Sequence, residues 1–289
     1  MTARQAPAPA DQPSHPWGIY EKALPADQTW PERLAAAARA GYDFVEISID
    51  ESDERVARLD WPLGPRQELR RALADAPARI GTMCLSAHRK YALGSASPVL
   101  RQQALDMMRK AIDLAAELGI RIVQVAGYDV HYERSTDRTQ ELYRLAILQA
   151  CEWARQSCVM LAVENVESPM VDSIEKGMKL IRAADTPWFQ MYADIGNLTA
   201  MEKDVSRELR AGAGHLVALH LKDTRIREFR RVPFGEGRVD FVSAFRVLAE
   251  IGYQGPFVVE MWNEAAADPL AVVSNARRWL LEKMAAARS

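Results

Sequence analysis

Eight times along this chain a short apolar run is followed by a segment with helical spacing, and the alternation is never broken. The strand-like runs are 17–25, 44–50, 79–88, 121–127, 159–165, 188–197, 216–223 and 256–262. The helical segments are 30–42, 65–76, 98–119, 137–156, 173–185, 203–214, 238–253 and 269–287. Each pair takes roughly 30 residues, the size of a βα repeat. Such alternation implies a parallel sheet, and eight units in one chain of 289 residues imply a closed (β/α)8 TIM barrel. An open doubly wound sheet is the rival. It is disfavoured because no GxGxxG follows the first strand and no Walker loop is present. We expect one catalytic barrel over residues 16–289, preceded by a flexible Pro- and Ala-rich tail over 1–15.

The apolar fraction of 48% and the charged fraction of 26% are those of an ordinary water-soluble domain. A formal charge of −2 provides no global field for nucleic acid or anionic lipid. No apolar run approaches the ~20 residues of a membrane span, and the N-terminus lacks the apolar stretch of a signal peptide. Three cysteines, Cys84, Cys151 and Cys158, make no disulfide framework and point to reduced thiols in the cytoplasm. Cys151 and Cys158 are one heptad apart and are expected on one buried helix face.

In a barrel of this kind, chemistry belongs at the C-terminal ends of the strands. Four consecutive strands end in LAVEN, YADIGN, LHLKD and VVEMW, which bring Glu164, Asp194, His220 and Glu260 to that end. A single strand-end acid is usually a salt bridge or a helix cap. Three acids and an imidazole on neighbouring strands make a mononuclear metal site, and carboxylate plus imidazole ligation suits Zn, Mn, Mg or Co.

These residues lie in a series of longer matching stretches: GIYEKALP (18–25), LDW (59–61), MCLSAHR (83–89), RKAI (109–112), AGYDV (126–130), DIGNL (194–198), HLKDT (220–224), VPFGEG (232–237) and EMW (260–262). With them the chain resembles the sugar-phosphate epimerases of the xylose-isomerase-like barrel group from Trp17 to its C-terminus. The resemblance implies a divalent metal ion held by Glu164, Asp194, His220 and Glu260, with Glu164 and Glu260 also acting as the acid–base pair. The implied reaction interconverts L-xylulose 5-phosphate and L-ribulose 5-phosphate by removing and returning a proton at carbon 3. It implies a small-molecule ketose phosphate as partner, no nucleic acid or membrane, and a homodimer.

The phosphate needs cations. Lys222, on the His220 face of its strand, is the first expectation, and Arg225 is the next, with Arg227, Arg230 and Arg231 in the same loop. Gly235 and Gly237 are expected to bring backbone amides to the ligand. His88 and Arg89, ending the third strand, are expected to touch substrate; related DNA-repair endonucleases use a His there for a second metal. Glu21, Lys22 and His131 are further candidates. Tyr20, Trp61 and Trp262 are candidate walls for the sugar, and His215 is expected to be structural. The alternatives are a free-ketose epimerase, a hydroxypyruvate isomerase, an inosose dehydratase, a non-catalytic sugar-binding barrel, and a DNA-repair endonuclease. Asn197, where the endonucleases carry His, counts against the last.

Overall fold

The apolar runs become parallel strands that pair with their sequence neighbours until the circle closes. In the computed structural model, residues 15–263 and 266–289 are described. The barrel strands are β1 (Trp17–Tyr20), β2 (Phe44–Ile49), β3 (Arg79–Leu85), β4 (Ile122–Ala126), β5 (Met160–Glu164), β6 (Phe189–Asp194) and β7 (Leu216–Leu221). Next in the chain, β8 (Asp223–Arg225) and β9 (Glu228–Val232) form an antiparallel hairpin outside the barrel. Then β10 (Phe257–Val259) pairs with both β7 and β1 and shuts the barrel.

The expected helices form as α1 (Trp30–Arg39), α3 (Leu63–Asp75), α4 (Pro98–Leu118), α5 (Asp137–Ser157), α6 (Ile174–Ala184), α8 (Val205–Ala211), α9 (Phe241–Glu250) and α10 (Pro269–Ala287). Two short ones were not anticipated, α2 (Asp53–Val56) and α7 (Ile195–Ala200). The longer helices begin and stop where local chemistry dictates. In α4 the Ser97 hydroxyl accepts the Leu100 N–H, Pro98 opens the first turn, and Gly119 ends the helix at a φ of 73°. Its buried residues, Ala104, Met108, Ala111, Ile112 and Ala115 among them, recur at helical spacing and face the sheet.

Side chains alternate along each strand, so the barrel has two apolar regions. Outward residues such as Val45, Ile47, Val123, Val125, Leu161, Val163, Leu219 and Leu221 pack beneath the helices in the main core. The inward set is smaller: Phe44, Ala162, Tyr192, Ala218 and Val258 fill the lower half of the barrel. Gly18 and Gly81 lie against the Phe44 ring, and a Cβ on either would collide with it. Two glycines thus make room for one aromatic floor.

Several boundaries move. The sixth strand stops at Asp194, because that carboxylate caps α7 by accepting the Asn197 N–H at 2.8 Å. The seventh stops at Leu221, and the expected arginine-rich loop is instead the β8–β9 hairpin. Cys151 is buried as expected, but Cys158 is exposed, since it is the left-handed C-cap of α5 at a φ of 54°. Of the expected tail, residues 1–14 lie outside the described residues, while His15 stacks on Tyr253 and hydrogen-bonds Gly255 O. No helix among the described residues is long and apolar enough to cross a membrane.

Candidate metal centre at the barrel mouth

Register brings the acids and the imidazole together. Asp194 on β6 is aligned with His220 on β7, and Glu164 on β5 is aligned with Tyr192 on β6. Glu260 follows β10, with its N–H bound to Leu221 O. One ligand atom each from Glu164, Asp194, His220 and Glu260 lies within 4.8 Å of the others, and all four residues are buried. The four residues span an arc of adjacent strands, β5, β6, β7 and β10. Glu164 and Glu260 stand at its two ends.

His220 turns Nδ1 toward this cluster, 2.7 Å from Glu164 Oε1, 4.0 Å from Asp194 Oδ2 and 3.9 Å from Glu260 Oε2. Glu164 is steadied by Gln124, whose Nε2 donates to Oε2 at 2.5 Å. Asp194 is held from below: Asn165 bonds both its N–H and its C=O at 2.9 Å, and its Oδ1 caps α7. Its other oxygen, Oδ2, is buried without an aligned hydrogen-bond donor, although the Lys222 ammonium lies 2.7 Å away. Lys222 bonds Glu260 Oε2 at 2.7 Å as well.

The charges shift one another. Burial pushes the Asp194 carboxyl up, with Lys222 pulling against it. Burial acts the same way on Glu260, but there the Lys222 and His220 cations prevail and hold it low. Burial opposes charge on His220 and Lys222 too, yet the surrounding carboxylates carry both above their ordinary values. Three buried acids and an imidazole nitrogen facing one point fit a divalent ion with oxygen and nitrogen ligands.

The other expected site residues are placed differently. Lys222 is occupied by Asp194 and Glu260, so its ammonium belongs to the cluster. Arg225 points to its own hairpin, pairing with Glu228 and Glu236 at 3.2 Å each. His88 is buried away from the cluster, with Nε2 on Ala104 O of α4 at 3.2 Å. Arg89 donates to Tyr128 OH at 2.8 Å and lies over that ring. The amides of Gly235 and Gly237 do not wait for a ligand: both donate to Asp223 Oδ2, at 2.9 and 3.0 Å. Trp61 lines a groove with α1 and α3 residues rather than the mouth. His131 packs its ring against Tyr128 and Tyr132, and His215 is tied to Gln190 Oε1 at 2.9 Å.

Beside the cluster lies a cavity of about 720 Å³, lined by Lys22, Arg33, Arg55, Arg230, Arg231 and Trp262 together with the acids Glu21, Asp27 and Glu54. Trp262, Arg231 and Asn263 also line a smaller hollow of about 110 Å³ that reaches Lys222 and Glu260. The basic cavity therefore adjoins the cluster. Arg33 and Arg58 hold the buried Glu21 carboxylate at 2.9 and 2.6 Å, and Lys22 pairs with Asp50 at 2.5 Å.

Gln124, Asn165 and Glu46 were not singled out in the sequence. Glu46 lies in the middle of β2 rather than at its end, wholly buried, with Oε1 2.7 Å from His220 Nε2. The available signal was an acid inside the apolar run FVEISI, where a charge is costly unless it has a partner.

A family model described as xylose isomerase-like TIM barrel matches residues 34–283. The L-ribulose-5-phosphate 3-epimerase UlaE of Escherichia coli O157:H7 (strain EC4115 / EHEC) is 48% identical over 272 residues, 94% of this chain and 96% of that protein. The protein of the same name from Salmonella paratyphi C (strain RKS4594) matches to the same extent, 48% over 272 residues. Among solved structures, an L-ribulose 3-epimerase superposes with a TM-score of 0.78 at 21% identity, over 95% of this chain and 96% of that one. A D-allulose 3-epimerase from Methylomonas sp. in complex with D-allulose gives 0.76 at 18% identity, over 93% and 97%.

Proposed function

The chain belongs to the xylose isomerase-like TIM barrel family, and from that premise we propose that it is a metal-dependent 3-epimerase interconverting L-xylulose 5-phosphate and L-ribulose 5-phosphate. The observation that carries the reading is the pair of buried glutamates at the two ends of one arc, with Asp194 and His220 between them. A binding protein has no use for two bases facing one site. Near-full-length identity of 48% to L-ribulose-5-phosphate 3-epimerases supports the substrate.

Glu164, Asp194, His220 and Glu260 would hold a Zn, Mn, Mg or Co ion, which when bound supplies Lewis acidity toward the ketose oxygens. The proton work at carbon 3 falls to the two glutamates. One glutamate, entering as the carboxylate, takes the proton from one face, and the other, entering as the neutral acid, gives its own proton to the opposite face. After a turnover their protonation states are exchanged, which readies the pair for the reverse epimer. The chain holds the two differently: Gln124 donates to Glu164, and the Lys222 ammonium to Glu260.

The phosphate has a natural place in the adjoining basic cavity. Of its lining cations, Lys22, Arg33 and Arg55 are held by Asp50 and Glu21, so the phosphate falls first to Arg230, with Arg231 beside it, since guanidinium groups match phosphate geometry. Arg230 lies over the Trp262 ring, and Trp262 meets Tyr20 edge-on at 5.9 Å. These two rings wall the sugar side of the mouth. Arg89, across the mouth on Tyr128, is a further substrate contact in this reading.

The test is solvent-deuterium incorporation at carbon 3 of L-ribulose 5-phosphate. Glu164→Gln and Glu260→Gln should each lower it by about 100-fold or more while thermal melting stays near wild type. Wild-type exchange in either variant would remove that residue from the acid–base pair. Equal turnover of the phosphorylated and free pentuloses by the wild type would overturn the phosphate assignment.

A further inference from the structure

We propose that Glu46 is a positioning residue for the metal centre: it fixes His220 so that Nδ1 faces the carboxylate cluster and the proton stays on Nε2. The inference rests on the reading that Glu164, Asp194, His220 and Glu260 hold a divalent cation. It concerns a residue outside that set.

A histidine can ligate through either nitrogen, and the hydrogen bond made by the other nitrogen decides which. Here Nε2 meets Glu46 Oε1 at 2.7 Å, reaching across the barrel from β7 to β2 over 174 residues of chain. That leaves Nδ1 as the nitrogen facing Glu164, Asp194 and Glu260. Glu46 is itself fixed. Its Oε2 accepts the Thr82 hydroxyl and the Tyr192 phenol, each at 2.7 Å. The Tyr192 ring also lies 4.6 Å from the imidazole, so one side chain braces both partners. Thr82 is aligned with Glu46 on the neighbouring strand.

The alternative is a merely structural acid, and its burial speaks against that. Glu46 is 0% exposed, and among the described residues the only cationic group it pairs with is His220. Burying a carboxylate inside a barrel is unfavourable, and an apolar residue in its place is often neutral or stabilising. An acid kept there, aimed at one nitrogen and braced by two donors, matches the orientation of a ligand.

The experiment measures Mn²⁺ affinity of the full chain by calorimetry, together with thermal melting of the metal-free protein. Glu46→Gln should weaken Mn²⁺ binding by about 10- to 100-fold, while the metal-free melting temperature stays close to wild type. A structural role would shift melting and leave the affinity alone, and an unchanged Kd in Glu46→Gln overturns the proposal. Should that variant not fold, the double variant Thr82→Val with Tyr192→Phe decides. It keeps Glu46 but removes its braces, so weaker Mn²⁺ binding supports the proposal and wild-type binding overturns it. Wild-type protein that takes up no Mn²⁺, Zn²⁺, Mg²⁺ or Co²⁺ would instead overturn the metal-centre reading on which this one rests.

Discussion

His88 shows how far a residue's job can differ from its sequence context. The sequence put it at the end of a barrel strand beside Arg89, as a ligand would be, but the strand stops at Leu85, and His88 is 2% exposed with its Nδ1 lacking a partner among the described residues. Burial holds its imidazole down to about 4, below the ordinary value near 6.5. The unfolded chain therefore binds a proton first as pH falls. Stability from His88 is intact above about pH 6.5 and is lost as pH drops toward 4, by about 3 kcal/mol in all. Urea denaturation from pH 7 to 4.5 should show that extra loss in wild type and not in His88→Gln. Parallel curves for the two proteins would remove His88 from the acid response. The sequence ran the third strand on to His88, three residues past its end at Leu85, so only its place just after a strand was legible. Its direction was not, because the chain turns into a 3-10 segment at Ser86–Arg89 and swings the ring under α4.

At the level of elements, the sequence showed strand and helix order because the two hydrophobic periods differ so plainly. It hid the β8–β9 hairpin, whose residues Arg225 to Arg231 carry almost no apolar alternation. The hairpin's organiser is Asp223: its carboxylate gathers the amides of Thr224, Gly235, Gly237 and Val239, and no local pattern announces such a hub. The barrel floor is a second case. Gly81 sits inside its strand with no side chain to pack, and the reason is Phe44, which presses so close that an added Cβ would sit only 2.5 Å from the ring. Gly81→Ala should force the ring aside and destabilise the fold by about 1–3 kcal/mol, read as a lowered urea midpoint at unchanged slope. A compensating Phe44→Leu should recover part of that loss. Full stability in Gly81→Ala alone would show that the floor yields to a methyl group at no cost.

For the whole molecule, the convergence of Glu164, Asp194, His220 and Glu260 was legible because each lies at or beside the C-terminal end of a strand, and strand ends converge in a closed barrel whatever their separation in the chain. Glu46 was not, since only closure of β1 through β10 brings β2 to face β7. Convergence would also tie a bound ion to global stability. The four candidate ligands come from strands spread over residues 164–260, and the unfolded chain cannot present them together. Saturating Mn²⁺ should therefore raise the unfolding free energy by about 2.7 kcal/mol at 100 times Kd, and a chelator should reverse the gain. A melting temperature indifferent to both would count against a site shared by the barrel.

The Phe44 floor has one more consequence. With the lower end stopped by that ring and its neighbours Ala162, Tyr192, Ala218 and Val258, the barrel is a cul-de-sac. In the proposed reaction, two sugars that differ at a single stereocentre would come and go through one doorway, each waiting for the other to vacate the berth.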